Sequence, residues 1–124
     1  MKTNEIVKVL EKAIELLSKE GVWIKGVYAK NSLGRVVPMS HFGIEEPACF
    51  CGEGAILYAC EKLDVSDRVV SVVDDFIFKR RERYDDCAFL AEYNDKQSSA
   101  APVIALLNDV ISYYKNQKEN HEKR

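Results

Sequence analysis

The chain has 124 residues, of which 47% are hydrophobic and 31% are charged, and its formal net charge is −2. This length and composition fit one globular domain and exclude a wholly disordered chain. The near-neutral charge gives no general attraction to nucleic acid or to an anionic membrane. No apolar run reaches the ~20 residues of a membrane span, and charges interrupt the N-terminal segment where a signal peptide would be apolar. We therefore expect a cytoplasmic protein, with no membrane association, whose four cysteines are reduced thiols.

The N-terminal part predicts a helix followed by a β-hairpin. Apolar residues at helical spacing predict an amphipathic helix over residues 4–19, capped by Thr3 or Asn4. Residues 22–29 favour a strand, residues 30–34 have turn chemistry, and residues 35–37 are apolar and β-branched again. A loop from 38 to 47, which contains His41, follows this hairpin.

The remainder of the chain predicts helices. They are expected over residues 51–62, over 64–80, over 87–93 with a closing turn at Asn94 and Asp95, and from Ser98 or Ser99 onward. The fold class is therefore α+β: a mostly helical single domain over residues 1–115, in the order α-β-β-α-α-(α)-α. Residues 116–124 are polar throughout, and we expect this tail to fray.

Three short motifs occur in a fixed order along the chain. They are Trp23-x-x-Gly26-x-Tyr28, Cys51-x-x-Gly54-Ala55 at a helix start, and Tyr93-Asn94-Asp95. Together they resemble a family of small uncharacterised bacterial and phage proteins, classed as a domain of unknown function, over about residues 5–114. The chain departs from the family pattern at Tyr93, where tryptophan is usual, at an additional Cys49, and in a longer insert around residues 79–86. The resemblance implies an organisation and candidate positions, and it implies no activity.

Cys51 carries the one catalytic hypothesis. A cysteine at a helix N-terminus can be stabilised as a thiolate, and Gly52 and Gly54 would leave backbone N–H groups open for an oxyanion. His41 would act as the base, and Asn94 or Asp95 would orient it. The alternative is structural: Cys51 packs as a small hydrophobe, His41 lies in solvent, and Asn94 and Asp95 cap a turn.

Two further kinds of site, a metal site and a nucleic-acid interface, have less support in the sequence. Cys49, Cys51 and His41, with Cys60 or Cys87, have the wrong spacing for a zinc site, so we expect no metal and no cofactor. A nucleic-acid interface would rest on a local basic cluster, but two aspartates follow that cluster at once and it lacks a recognition signature. The members of this cluster are Lys79, Arg80, Arg81 and Arg83.

Protein binding or self-association is the function class that the sequence favours. Aromatic side chains of the kind enriched at interface anchors are frequent; they are Trp23, Tyr28, Phe42, Phe50, Tyr113 and Tyr114. The alternative is that Trp23 and Tyr28 belong to the core. The binding residues expected from the motifs are Trp23, Tyr28, Gly52, Gly54, Tyr93 and Asn94. We thus predict a small non-enzymatic accessory protein, with a cysteine-dependent acyl-transfer or hydrolytic enzyme using Cys51 as the alternative.

Overall fold

The computed structural model describes the backbone of residues 1–122 and the side chains of residues 1–117. Most of these residues are helical, and one short antiparallel strand pair follows the first helix, which confirms the α+β class. The helices are α1 (Thr3–Leu17), α2 (Gly52–Leu63), α3 (Arg68–Phe78), α4 (Leu90–Lys96) and α5 (Ala100–Glu122), and the strands are β1 (Ala29–Lys30) and β2 (Cys49–Phe50). Of the tail expected to fray over residues 116–124, residues 116–122 continue α5, and residues 123–124 lie outside the described residues.

The core forms where α1 packs against α2 and α5. The apolar stripe predicted for α1 is buried, with Val9, Leu10 and Ala13 fully enclosed. Each such aliphatic side chain larger than alanine contributes about 1.5–3 kcal/mol when it leaves water. The predicted cap of α1 is wrong, because Lys2 occupies the N-cap position and the Glu5 carboxylate accepts its backbone N–H at 3.2 Å.

The strand pair has a different second strand from the one predicted. β1 pairs with β2, so that Ala29 lies opposite Phe50, whereas residues 35–37 contribute a single bridge from Val36 to Lys30. The predicted first strand over residues 22–29 is interrupted, since Gly26 has φ +85°. The segment from 22 to 50 therefore folds back on itself and places the start of α2 beside residue 28.

The helices after α2 begin later than predicted. Asp64 has a left-handed φ of 54° and ends α2, so α3 begins at Arg68. Between α3 and α4, the carboxylate of Asp74 on α3 accepts the Leu90 N–H at 2.9 Å and so satisfies a free donor at the start of α4. As a result Asn94 and Asp95 lie within α4, and the predicted turn at these residues is wrong. Their side chains bond to other segments instead of to their own backbone.

Candidate functional site

A groove of about 390 Å³ opens beside the start of α2. Its walls are residues 26–28, residues 36–38, Cys51, Ala91 and Asp95. We call this cavity the groove. It is lined by three of the residues singled out in the sequence, namely Tyr28, Cys51 and Asp95, which come from three separate segments of the chain.

Asn94 joins these segments below the groove. Its side chain is fully buried, and its Oδ1 accepts the Trp23 Nε1–H at 2.7 Å and the Gly52 N–H at 2.9 Å. Its Nδ2 donates to the Ile24 carbonyl at 3.1 Å and to Asp95 Oδ1 at 3.2 Å. Both the oxygen and the nitrogen of the amide are therefore engaged, as burial of a polar group demands. Asn94 and Trp23 act as structural ties in this arrangement.

Asp95 extends the same network to the groove wall. Its Oδ1 accepts the Gly26 N–H at 3.1 Å in addition to the Asn94 amide. Gly26 is one of the residues with positive φ, so this bond holds a sharp bend next to Tyr28. The carboxylate of Asp95 thereby shapes the groove and also places a negative charge in its lining.

Cys51 is the N-cap of α2, as its position in the sequence predicted. Its Sγ accepts the Gly54 N–H at 3.3 Å, and its own N–H donates to the Tyr28 carbonyl at 3.1 Å. Burial raises the pKa of the Cys51 thiol to about 11, and this exceeds the lowering effect of the backbone N–H groups. At neutral pH the sulfur is therefore a protonated thiol, which is a poor nucleophile.

The two glycines allow close packing of the backbone. A Cβ on Gly54 would overlap the Tyr28 carbonyl oxygen, and one on Gly52 would lie 2.9 Å from Val103 Cγ1. Their N–H groups are already bonded, to Cys51 Sγ and to Asn94 Oδ1 respectively. These amides are consequently occupied by the protein itself, where an oxyanion hole needs them to face a substrate.

His41 lies away from the groove lining. It ends the short 3₁₀ helix Met39–His41, its ring is exposed, and its Nδ1 lies 3.4 Å from Glu45 Oε2. Among the described residues, no hydrogen bond joins His41 to Cys51, Asn94 or Asp95. The structure thus brings the candidate nucleophile and the candidate orienting residues together and pairs the candidate base with a different carboxylate.

Sequence reasoning missed two carboxylates beside the groove. Interaction with Glu53 raises the pKa of the Tyr28 hydroxyl, and burial raises the pKa of Glu53, with the charge of Asp74 adding to this effect. Burial also raises the pKa of Asp74, although its bond to the Leu90 N–H opposes the shift. Glu53 was visible in the sequence as an acidic residue in the first turn of α2. Nothing in the sequence indicated that the charge of Asp74, on α3, acts on Glu53.

The remaining aromatic candidates divide between core and surface. Phe42 and Phe50 are buried and contact each other edge to face, with ring centroids 6.4 Å apart. Tyr93 is buried against Tyr84 at 5.6 Å, so it belongs to the core. Tyr28 is 42% exposed, so the alternative of a core position for Tyr28 is wrong.

The basic cluster has partners within the chain. Lys79 Nζ lies 2.9 Å from Asp75 Oδ2. The Arg80 guanidinium stacks 3.9 Å from the centroid of the Phe76 ring and donates to the Phe76 carbonyl at 3.2 Å.

The neighbouring arginines complete the cluster. Arg81 stacks on Phe78 at 4.3 Å, and Arg83 is exposed. Three of the four cations thus stabilise the end of α3, where positive charge is favourable.

Among the described side chains of residues 1–117, no group of three or more His, Cys, Asp or Glu residues is placed to hold a metal ion. In that part of the chain, no helix combines the length and the apolar character needed to cross a membrane.

Comparison with known proteins gives one match. Residues 1–113 match a family of unknown function, DUF6197. The chain belongs to this family. The match covers the strand pair, the groove and four complete helices of this DUF6197 member, together with most of α5. No curated protein and no solved structure matches the chain.

Proposed function

We propose that this chain is a small non-enzymatic accessory protein of a bacterium or phage, which acts in the cytoplasm by binding another protein in the groove. The observation that carries the proposal is the groove itself, with apolar side chains left exposed on its walls. Tyr28 is 42% exposed and Val36 is 57% exposed. Aromatic side chains in such a position are typical anchors of protein interfaces.

The structural ties beneath the groove support this function. Asn94 fixes the 22–26 segment, the start of α2 and Asp95 relative to one another through its four hydrogen bonds. A groove with fixed walls loses little conformational entropy when it is filled, and this favours affinity. In an enzyme, Asn94 would have to orient a catalytic histidine. Its amide has no hydrogen-bonding capacity left for that role.

A cysteine-dependent acyl-transfer or hydrolytic enzyme is the second candidate. It is favoured by one observation, namely that Cys51 both caps α2 and lines the groove. The protonated thiol and the occupied glycine amides count against it. Nucleic-acid binding has less support, since most of the basic cluster is engaged within the chain.

Two matched variants test the proposal in extracts of the cell that produces the protein. Val36→Glu places a charge on the groove wall, and Ile44→Glu places the same charge on a residue that is 85% exposed and outside the lining. Wild type and Ile44→Glu should retain the same protein partner after nuclease treatment, and Val36→Glu should lose it. Equal recovery by all three proteins would contradict the proposal, and so would a partner that disappears with nuclease.

A further inference from the structure

The size and lining of the groove restrict what it accepts. A volume of about 390 Å³ is near the lower end of the range of ~300–1,000 Å³ that holds compact ligands. It therefore takes one large side chain and part of its neighbour, whereas a whole helix needs a longer surface. Val27, Val37 and Ala91 give the lining an apolar character, so the inserted side chain is apolar.

Charge adds a second requirement. Asp95 is the one charged residue among those that line the groove, and the carboxylate of Glu53 acts on both Tyr28 and Cys51 of the lining. The flanking cation Lys25 lies outside the lining, and its Nζ donates to the Gln97 carbonyl at 3.0 Å. An occupant that carries a positive charge is therefore favoured over a neutral one.

Arginine and lysine meet both requirements. Their aliphatic stems lie along apolar surface while the charged group stays at the polar edge. The exposed face of Tyr28 offers a cation–π contact at the same place. A segment with an apolar residue next to arginine or lysine would fill the lining with the first side chain and meet the carboxylates with the second.

We propose, resting on the proposed function, that the groove recognises a short segment of a partner protein in which an apolar side chain is adjacent to an arginine or lysine. The apolar side chain enters between Val36 and Ala91, and the cation lies against Tyr28 and the carboxylates of Glu53 and Asp95. No other part of the partner is required for this contact, so short peptides reproduce it weakly.

The test is a titration of the ¹⁵N-labelled protein, followed by NMR, with N-acetyl-leucyl-argininamide. The matched probe is N-acetyl-leucyl-citrullinamide, which has nearly the same shape and no charge. We expect the arginine probe to shift the amide signals of Val27, Tyr28 and Val36, and to bind about fivefold more tightly than the citrulline probe. Raising the salt from about 0.02 to about 0.3 M should weaken only the arginine probe. Equal affinities, or shifts confined to other residues, would overturn the proposal.

A variant that removes one negative charge tests whether Glu53 causes the preference for the arginine probe. Glu53→Gln keeps the size and polarity of the side chain and removes its negative charge, so it should reduce the advantage of arginine over citrulline. Glu61→Gln is the matched control, because Glu61 is an exposed glutamate near the other end of the same helix. An unchanged advantage in Glu53→Gln, or an equal loss in Glu61→Gln, would contradict the role of the groove carboxylates.

Failure of this inference is distinguishable from failure of the proposed function. If neither probe binds and Val36→Glu still abolishes partner capture, the chain is a binding protein and the chemistry proposed here for its occupant is wrong. If the arginine probe binds in the groove and Val36→Glu leaves partner capture intact, recognition of the segment stands and the proposed physiological role fails.

Discussion

Replacement of Asn94 by alanine tests whether this residue is a structural tie. The change removes the acceptor of the buried Gly52 N–H and leaves that donor unsatisfied, which costs about 1–3 kcal/mol. It also removes the bonds to Trp23 and to the Ile24 carbonyl, at about 1 kcal/mol each, because these groups are partly buried. The better helix propensity of alanine returns about 0.5 kcal/mol. We therefore expect a loss of about 2.5–4.5 kcal/mol, against a total stability of about 5–15 kcal/mol for a domain of this size.

Urea unfolding measures this loss by two signals. Far-UV circular dichroism follows the helices, and fluorescence follows Trp23, the single tryptophan of the chain. The native emission of Asn94→Ala should also change, since the indole N–H loses its partner. Asn108→Ala is the control, because Asn108 is exposed on α5 and its replacement should be neutral. A loss below about 1 kcal/mol in Asn94→Ala would refute the structural role, because one unsatisfied buried donor alone costs that much.

Three further predictions concern the start of α2. Gly54→Ala should lose at least about 3 kcal/mol in urea unfolding, because its Cβ overlaps the Tyr28 carbonyl; a gain of stability would contradict this. Iodoacetamide at neutral pH should modify Cys51 only after unfolding, because burial raises its pKa to about 11; rapid labelling of the native protein, located by mass spectrometry, would favour the enzyme. Burial raises the pKa of Glu53 from its ordinary value of 4.5, so the folded state binds this proton more tightly than the unfolded state does. The free energy of unfolding therefore falls as the pH rises from 4.5 through the pKa of Glu53 in the folded protein. Glu53→Gln should reduce this fall in the urea midpoint, and an unchanged pH profile would count against the shift.

Helical periodicity predicted the parts of the fold that depend on local pattern. The apolar stripes of α1 and of the N-terminal half of α5 are buried, and Pro102 lies in the first turn of α5. Cys51 was placed correctly at the start of α2, because the apolar spacing from Ile56 onward and the acidic Glu53 mark the first turn of this helix.

Strand pairing depends on long-range packing and was predicted only in part. Residues 35–37 have the composition of a strand, yet the longer antiparallel contact of β1 is with β2, some twenty residues along the chain. Local sequence was also insufficient to place Asn94, Asp95 and His41. Asn94 and Asp95 favour a turn by local chemistry, and contacts with distant segments keep them within a helix. His41 is only ten positions from Cys51, and a local 3₁₀ helix places it beside Glu45.

The residues of the three motifs divide by what their side chains touch. Trp23, Gly54 and Asn94 contact other parts of the same chain, and their loss would distort the groove whatever it binds. Tyr28 of the first motif, together with the nearby wall residue Val36, is exposed on the groove walls, so these two side chains remain available to an occupant. A variant of the first set would reduce binding and stability together, and its effect on function would be uninterpretable by itself. Only side chains of the second set can separate binding from folding, and for that reason the binding experiments above change Val36 and leave Asn94 intact.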